Sequence, residues 1–244
     1  MARSIALSAR TGFAAAAVFI AAAILVHDVP ASVTASDRDY AARILSAAGH
    51  GSHAADYGDL KNFDNQIRAV LAVQDAVLKA TPKSEGLPLG QPREPQDLYE
   101  AGKGLCFDRS RVIEKLLGHL GLTHRHLSVF SLKDGRSRLS ALSGDTTKSH
   151  AVTEVSTAKG WMLVDSNARW IGLDQSHQSV AAGALHEAGV ARGAWAPESS
   201  APINKIFTDE FTYVIGLYSR HGGFYWPYTP IPDYNLRELG QNLW

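Results

Sequence analysis

The stretch Gly102-Lys103-Gly104-Leu105-Cys106 constrains this chain more than any other, because two closely spaced glycines run straight into an amphipathic pattern. Apolar residues at 112, 113, 116, 117 and 120 fall on one face of a helix. Gly118 and Gly121 supply stop signals. Cys106, the single cysteine of the chain, is therefore expected where a glycine-rich turn enters a helix. The first N–H groups of a helix lack partners and its dipole is positive at that end, so a thiolate is favoured there. An inert packing cysteine fits the position equally well, and the rest of the chain has to decide.

With 244 residues the chain can hold one sizeable domain, or one domain and a terminal extension, and it can bury a core without disulfides. Its 24 basic and 24 acidic residues balance, which gives no support for nucleic-acid binding. One cysteine cannot form an internal disulfide, so the count does not set the redox compartment. The N-terminus is more informative. Arg3 and Arg10 precede an uncharged apolar run from Gly12 to Val26, short for a bilayer span and suited to a signal-peptide core. Small-residue cleavage sites follow at Val29-Pro30-Ala31 and Val33-Thr34-Ala35. The other reading is an uncleaved anchor. Either makes this an exported protein, periplasmic or otherwise extracytoplasmic, with membrane contact only through that segment. Residues 1–35 are accordingly set apart from the fold.

Residues 36–58 are polar and mixed, with a loop around His50–His53. The pattern of Ile67, Val70, Leu71, Val73, Val77 and Leu78 predicts a helix over Phe63–Ala80, ended by Thr81-Pro82. Four prolines make 82–96 irregular. His124–Leu132 alternates as a strand, and 133–148 reads as a polar surface loop. Two more strands follow, at 150–155 and 161–165, joined by a tight turn at Lys159-Gly160. A short alanine-rich helix is expected within 177–194. The aromatic run around Tyr218–Tyr228 suits a covering segment better than a sugar or peptide groove. Helices first and antiparallel strands afterwards point to an α+β domain over 36–175, with 176–244 an extension packed on it.

A thiol nucleophile needs a base, and the base needs an orienting partner. His150 begins one hairpin strand and Asp165 ends the next, so they fall nearly opposite, within roughly 5 Å. A register slip of one residue would part them. Other polar residues read more plainly: Asp108 caps its helix, Arg125 makes a structural ion pair, and His124 and His126 form a surface pair with no third metal ligand. No serine-hydrolase elbow and no phosphate-binding loop occurs. Neither a metal nor another cofactor is expected.

Gly-x-Cys-x-Asp-x-Ser at 104–110, Gly-Leu-x-x-Arg at 121–125, His-Ala-x-x-Glu-Val at 150–155 and Gly-Trp-x-x-Val-Asp at 160–165 together resemble the transglutaminase-like superfamily. Glu94-Pro95-Gln96-Asp97-Leu98-Tyr99 is similar to the lead-in of its bacterial members. The resemblance covers about residues 60–170. It implies a papain-like α+β core with Cys106 as nucleophile, His150 as general base and Asp165 as orienting carboxylate. The sequence departs from many members at Phe107, where an acid is common, and at Val152, where Trp is common. The chemistry implied is acyl transfer through a thioester. The backbone N–H of Cys106 is one oxyanion donor; Gln91, Gln96 and Tyr99 are all open as the second, and Gln96, Tyr99 and Trp161 are carried as oxyanion or substrate contacts. Two functions follow. One is an exported cysteine acyltransferase or amide hydrolase acting on a peptide or protein, free or associated with envelope polysaccharide. The other is a non-catalytic binding or assembly module of the cell envelope or exopolysaccharide machinery. The ordered Cys, His and Asp favour the first.

Overall fold

A computed structural model describes residues 27–88, 90–133, 135–143, 147–188, 203–218 and 233–243. The apolar run at 12–26 and most of the aromatic run at 218–228 lie outside these residues, so neither reading of them is addressed. Among the described residues no helix is long and apolar enough to cross a membrane.

Among the described residues four α-helices precede the sheet: α1 (Ala35–Ala47), α2 (Phe63–Ala80), α3 (Pro95–Ala101) and α4 (Cys106–His119). Helix α2 spans the range its periodicity predicts. Asn62 caps its start by accepting from the N–H groups of Asp64 and Asn65, and Thr81 ends it. Helix α1 falls in the stretch read as polar and mixed. Its apolar stripe is only Ala41, Ile44 and Leu45, too sparse to register as a period, and a Thr34–Asp37 capping box starts it.

Strands β1 (His124–Ser131), β2 (Ser149–Thr157), β3 (Gly160–Val164) and β4 (Phe211–Ile215) form one antiparallel sheet in the order β3-β2-β1-β4. A short helix α5 (Arg138–Ser143) interrupts the polar loop after β1, and α6 (Ala182–Ala188) lies within the alanine-rich segment. A two-stranded ribbon, β5 (Leu217–Tyr218) with β6 (Asp233–Tyr234), and a last turn of helix, α7 (Leu236–Leu239), complete the chain. Beyond residue 175 the chain is therefore part of the sheet itself: β4 pairs with β1 from Leu127↔Ile215 to Ser131↔Phe211.

Two apolar layers enclose the sheet. On one side Val112, Ile113, Leu116 and Leu117 of α4 pack with Ile67, Val70, Val73 and Val77 of α2. On the other, Leu127, Val129, Val152 and Leu163 pack under Trp170, Phe207 and Phe211. Helix α4 is central, and its polar side is buried as well: Ser110, Arg111, Glu114 and Lys115 are all under 4 % exposed. Charges so placed require partners. Lys115 meets Asp37 at 2.8 Å and Arg111 meets Glu94 at 2.8 Å.

Residues 27–34, set apart from the fold on sequence grounds, belong to it. Val29 is fully buried; its N–H donates to Tyr234 O at 2.7 Å, and Asn235 Nδ2 donates to its carbonyl at 2.8 Å. Arg111 Nη2 donates to Pro30 O at 2.9 Å and Lys115 Nζ to Ser32 O at 2.6 Å. Of the residues that suggest cleavage sites, Val29 is buried beside the C-terminal segment, while Pro30, Ala31, Thr34 and Ala35 are exposed.

Candidate active site

Cys106 is the first residue of α4. The turn before it is held by Asp108, at the third helical position. Asp108 Oδ2 accepts from the N–H groups of Leu105 at 2.8 Å and Leu87 at 3.3 Å, and Oδ1 lies 2.6 Å from Arg93 Nε. Asp108 thus fastens the helix entrance to the proline-rich loop, the capping role its position predicts. Gly104 has little room: an added Cβ would sit 2.8 Å from the Leu98 side chain. Gly102 closes α3 with φ +60°, a left-handed conformation that glycine adopts without strain.

The β2–β3 hairpin carries the other two residues. Thr157 pairs with Gly160, so the loop is Ala158-Lys159, with Gly160 at φ +98° as the first residue of β3. That is one residue earlier than the Lys159-Gly160 turn read from sequence. The register Thr153↔Val164 continues to place Asp165 opposite Val152, with His150 two residues further along the same face. The two are diagonal neighbours and not an opposed pair. Because the offset is two residues, both side chains stay on one face. His150 Nε2 lies 3.3 Å from Asp165 Oδ2. Asp165 Oδ1 accepts from the N–H groups of Asn167 at 2.7 Å and Ala168 at 3.1 Å. Gln74 of α2 donates to the carbonyls of both Asp165 and Trp170, clamping the loop between them.

The Cys106 thiol and the His150 ring line the same cavity and interact electrostatically. With Nε2 turned to Asp165, Nδ1 is the nitrogen left for sulfur. Burial disfavours a charged ring here, but the Asp165 carboxylate and Cys106 outweigh it, and His150 is pushed up to about 10. His150 and Asp165 are buried and Cys106 is half-buried. A cavity of about 670 Å³ opens onto Cys106 and His150.

Gln96, Tyr99 and Trp161 are not brought to this cavity. Gln96 bonds Ser36 and Glu100 on the outer side of α3; Tyr99 packs edge-on to Tyr40, its ring centroid 5.9 Å away. Trp161 lies beneath the Arg125 guanidinium, which pairs with Glu154 at 2.6 Å as expected of a structural ion pair. The residue the sequence reading passes over is Asn167, which lines the cavity. Arg109 Nη1 donates to its Oδ1 at 2.7 Å; a guanidinium can only donate, so the Nδ2 amide must be the other end. Arg109 stands three residues after Cys106, the spacing that puts both on one helix face. That spacing is the only signal in the sequence, and it does not name the partner.

His126 departs from the surface pair read from sequence. It is 1 % exposed and faces α4, with Nδ1 2.5 Å from Glu114 Oε1 and 3.3 Å from Ser110 Oγ. Ser110 Oγ and Thr153 Oγ1 share a hydrogen bond of 2.9 Å. Glu238 completes the cluster, accepting from the His126 N–H and the Tyr218 hydroxyl at 3.0 Å each. Burial and then Glu114 push Glu238 up to about 7. Burial also works against charge on Glu114, but His126 and Arg111 outweigh it and hold that carboxyl below its usual range.

The family model described as the transglutaminase-like superfamily matches residues 58–166, a span that contains Cys106, His150 and Asp165. No curated protein and no solved structure matches the chain.

Proposed function

We propose that this transglutaminase-like superfamily domain is a cysteine acyltransferase or amide hydrolase acting outside the cytoplasm on a peptide or protein substrate. The observation that carries the reading is one arrangement: a thiol at a helix start and an imidazole that both line an accessible cavity, with a buried carboxylate fixing that imidazole from behind. The strongly raised His150 favours a ring that is already protonated beside sulfur at neutral pH. Cys106 sulfur attacks the carbonyl carbon of an amide, and the carbonyl electron pair moves onto oxygen. As the C–N bond breaks, the His150 proton passes to the departing amine, leaving a thioester. Water or a second amine then attacks the thioester, gives its proton to His150, and releases Cys106 as thiolate.

The oxyanion formed in both halves needs fixed donors. The Cys106 N–H, in the first turn of α4, has no intrahelical partner. The Asn167 Nδ2 amide, oriented by Arg109, is the second donor in this reading. The reading is tested by profiling peptide, peptidoglycan and polysaccharide-linked amides with wild type and Cys106→Ala. A product or trapped thioester that depends on Cys106 is the expected result. Identical outcomes for the two proteins would instead make this an assembly module of the envelope.

A further inference from the structure

The cavity beside Cys106 is lined by four cations, Lys133, Arg136, Lys148 and Lys205, against one acid, Asp209, among the described lining residues. The chain as a whole carries equal numbers of basic and acidic residues, so this is a local concentration. It is assembled from three separate segments: the end of β1 and its loop, the approach to β2, and the turn at Lys205–Phe207. Three buried cations elsewhere are each matched with an acid: Arg93 with Asp108, Arg111 with Glu94, Lys115 with Asp37. Around the cavity the three lysines are not. Lys133, Lys148 and Lys205 form no ion pair with any described residue. Arg136 is held in place by donating from Nη1 to Thr147 Oγ1 at 3.0 Å. A concave wall of one sign focuses its field on the space it encloses and raises the local concentration of opposite charge.

We infer that the acyl donor of this enzyme carries an anionic group, a carboxylate or a phosphate, which the lysines and Arg136 hold while its carbonyl lies at Cys106. The inference rests on the acyl-transfer reading for the word donor; the anion preference itself does not require turnover. Selection here is by charge and not by a fitted bidentate fork, since three of the four cations are lysines. It is strongest at low ionic strength, because the cavity is open to solvent.

A pair of alkylating agents separates the two questions. Iodoacetate and iodoacetamide deliver nearly the same group to sulfur, one as an anion and one neutral. Their rate ratio at Cys106, divided by the ratio for free cysteine, reads the field without any catalytic step. We expect that quotient to be about tenfold or more at low salt, to fall towards one at 0.5 M salt, and to collapse in the Lys148→Glu/Lys205→Glu double variant. Lys61→Glu, exposed and away from the cavity, keeps it. A quotient near one in wild type, or one that survives the double reversal, overturns the inference; the second outcome would assign the attraction to His150 alone. The substrate arm uses p-nitrophenyl esters of glutarate, of its neutral carboxamide and of 4-phosphonobutyrate. Faster release from the two anionic esters supports the inference, and their order distinguishes carboxylate from phosphate. Equal release from all three overturns it. Release no faster than with Cys106→Ala defeats the acyl-transfer reading, while the alkylation quotient still decides the anion preference.

Discussion

Two buried imidazole–carboxylate pairs lie on this sheet, His150 with Asp165 and His126 with Glu114, and they have different surroundings. The second is the closer, at 2.5 Å against 3.3 Å. It is also the more enclosed, with Ser110, Thr153, Tyr218 and Glu238 around it. Yet none of its residues lines the cavity beside Cys106, and the hydroxyls next to it, Ser110 and Thr153, are themselves fully buried. The first pair has a half-buried thiol beside it and about 670 Å³ of open space in front. A paired histidine alone is therefore a poor mark of chemistry; access and an adjacent nucleophile make the difference. The sealed pair holds the polar side of α4 to the sheet, and so sets the position from which Cys106 emerges.

Substitutions at the two pairs should separate rate from stability. His150→Ala is expected to lower turnover by about 10⁴-fold, with Cys106 no longer alkylated faster than a free thiol. Single-turnover thioester formation checks this, and a loss of less than about tenfold would remove His150 from the mechanism. Glu114→Ala should act in the other direction. It strips a partner from His126 and Arg111 in a sealed site, and a cost of about 3–5 kcal/mol is expected in urea unfolding. Turnover per folded molecule should change little. If Glu114→Ala abolished activity in a protein that still melts normally, the contrast drawn between the two pairs would be wrong.

Asn167→Ala probes the open site at its edge. Loss of one oxyanion donor predicts a fall in kcat of about 10²–10³-fold with KM little altered. A purely structural role through Arg109 would instead show as a lowered unfolding midpoint with kcat intact. The pH profile gives the smallest effect and the sharpest comparison. His150 in the folded chain titrates at about 10, above its ordinary 6.5. The stabilisation from its charged form is complete below about pH 6.5 and is lost as pH rises through 10. Activity that depends on the protonated ring should persist through neutral pH and fall on an alkaline limb near 10. A limb near 6.5 in rate and stability together would mean that Asp165 does not hold the ring charged.

Much of this arrangement is legible in the residues, for reasons that also explain what is not. Helix α2 shows because its apolar stripe is long and regular, and the β2–β3 hairpin because two strands flank a short turn. Cys106 at a helix start follows from Gly104 and the pattern after it. Helix α1 does not show, since it buries only a narrow stripe and its cap at Thr34 lies in a stretch that reads as a leader. His126 looks like a surface residue because its partner Glu114 sits on another element, and alternation along one strand cannot say what covers either face. The charge of the cavity is hidden for the same reason: Lys133, Arg136, Lys148 and Lys205 form no run in the chain and meet only when β1, β2 and the 205–207 turn come together. Asn167 lies outside any motif, and only the folded path of Arg109 singles it out.

The threading of residues 27–34 bears on how the chain can be matured. A cut after Ala31 would take away Val29 and the Pro30 carbonyl that Arg111 uses. A cut after Ala35 would also remove the Ser32 acceptor of Lys115 and the Thr34 cap of α1. Each leaves a buried cation short of an acceptor, at a cost of about 1–3 kcal/mol or more per group. Processing compatible with this fold therefore falls before His27, and intact mass of the mature protein should show residues 27–35 retained. A cut at either small-residue site would therefore part α4 from backbone acceptors that it uses in the folded domain, whether it came before or after folding.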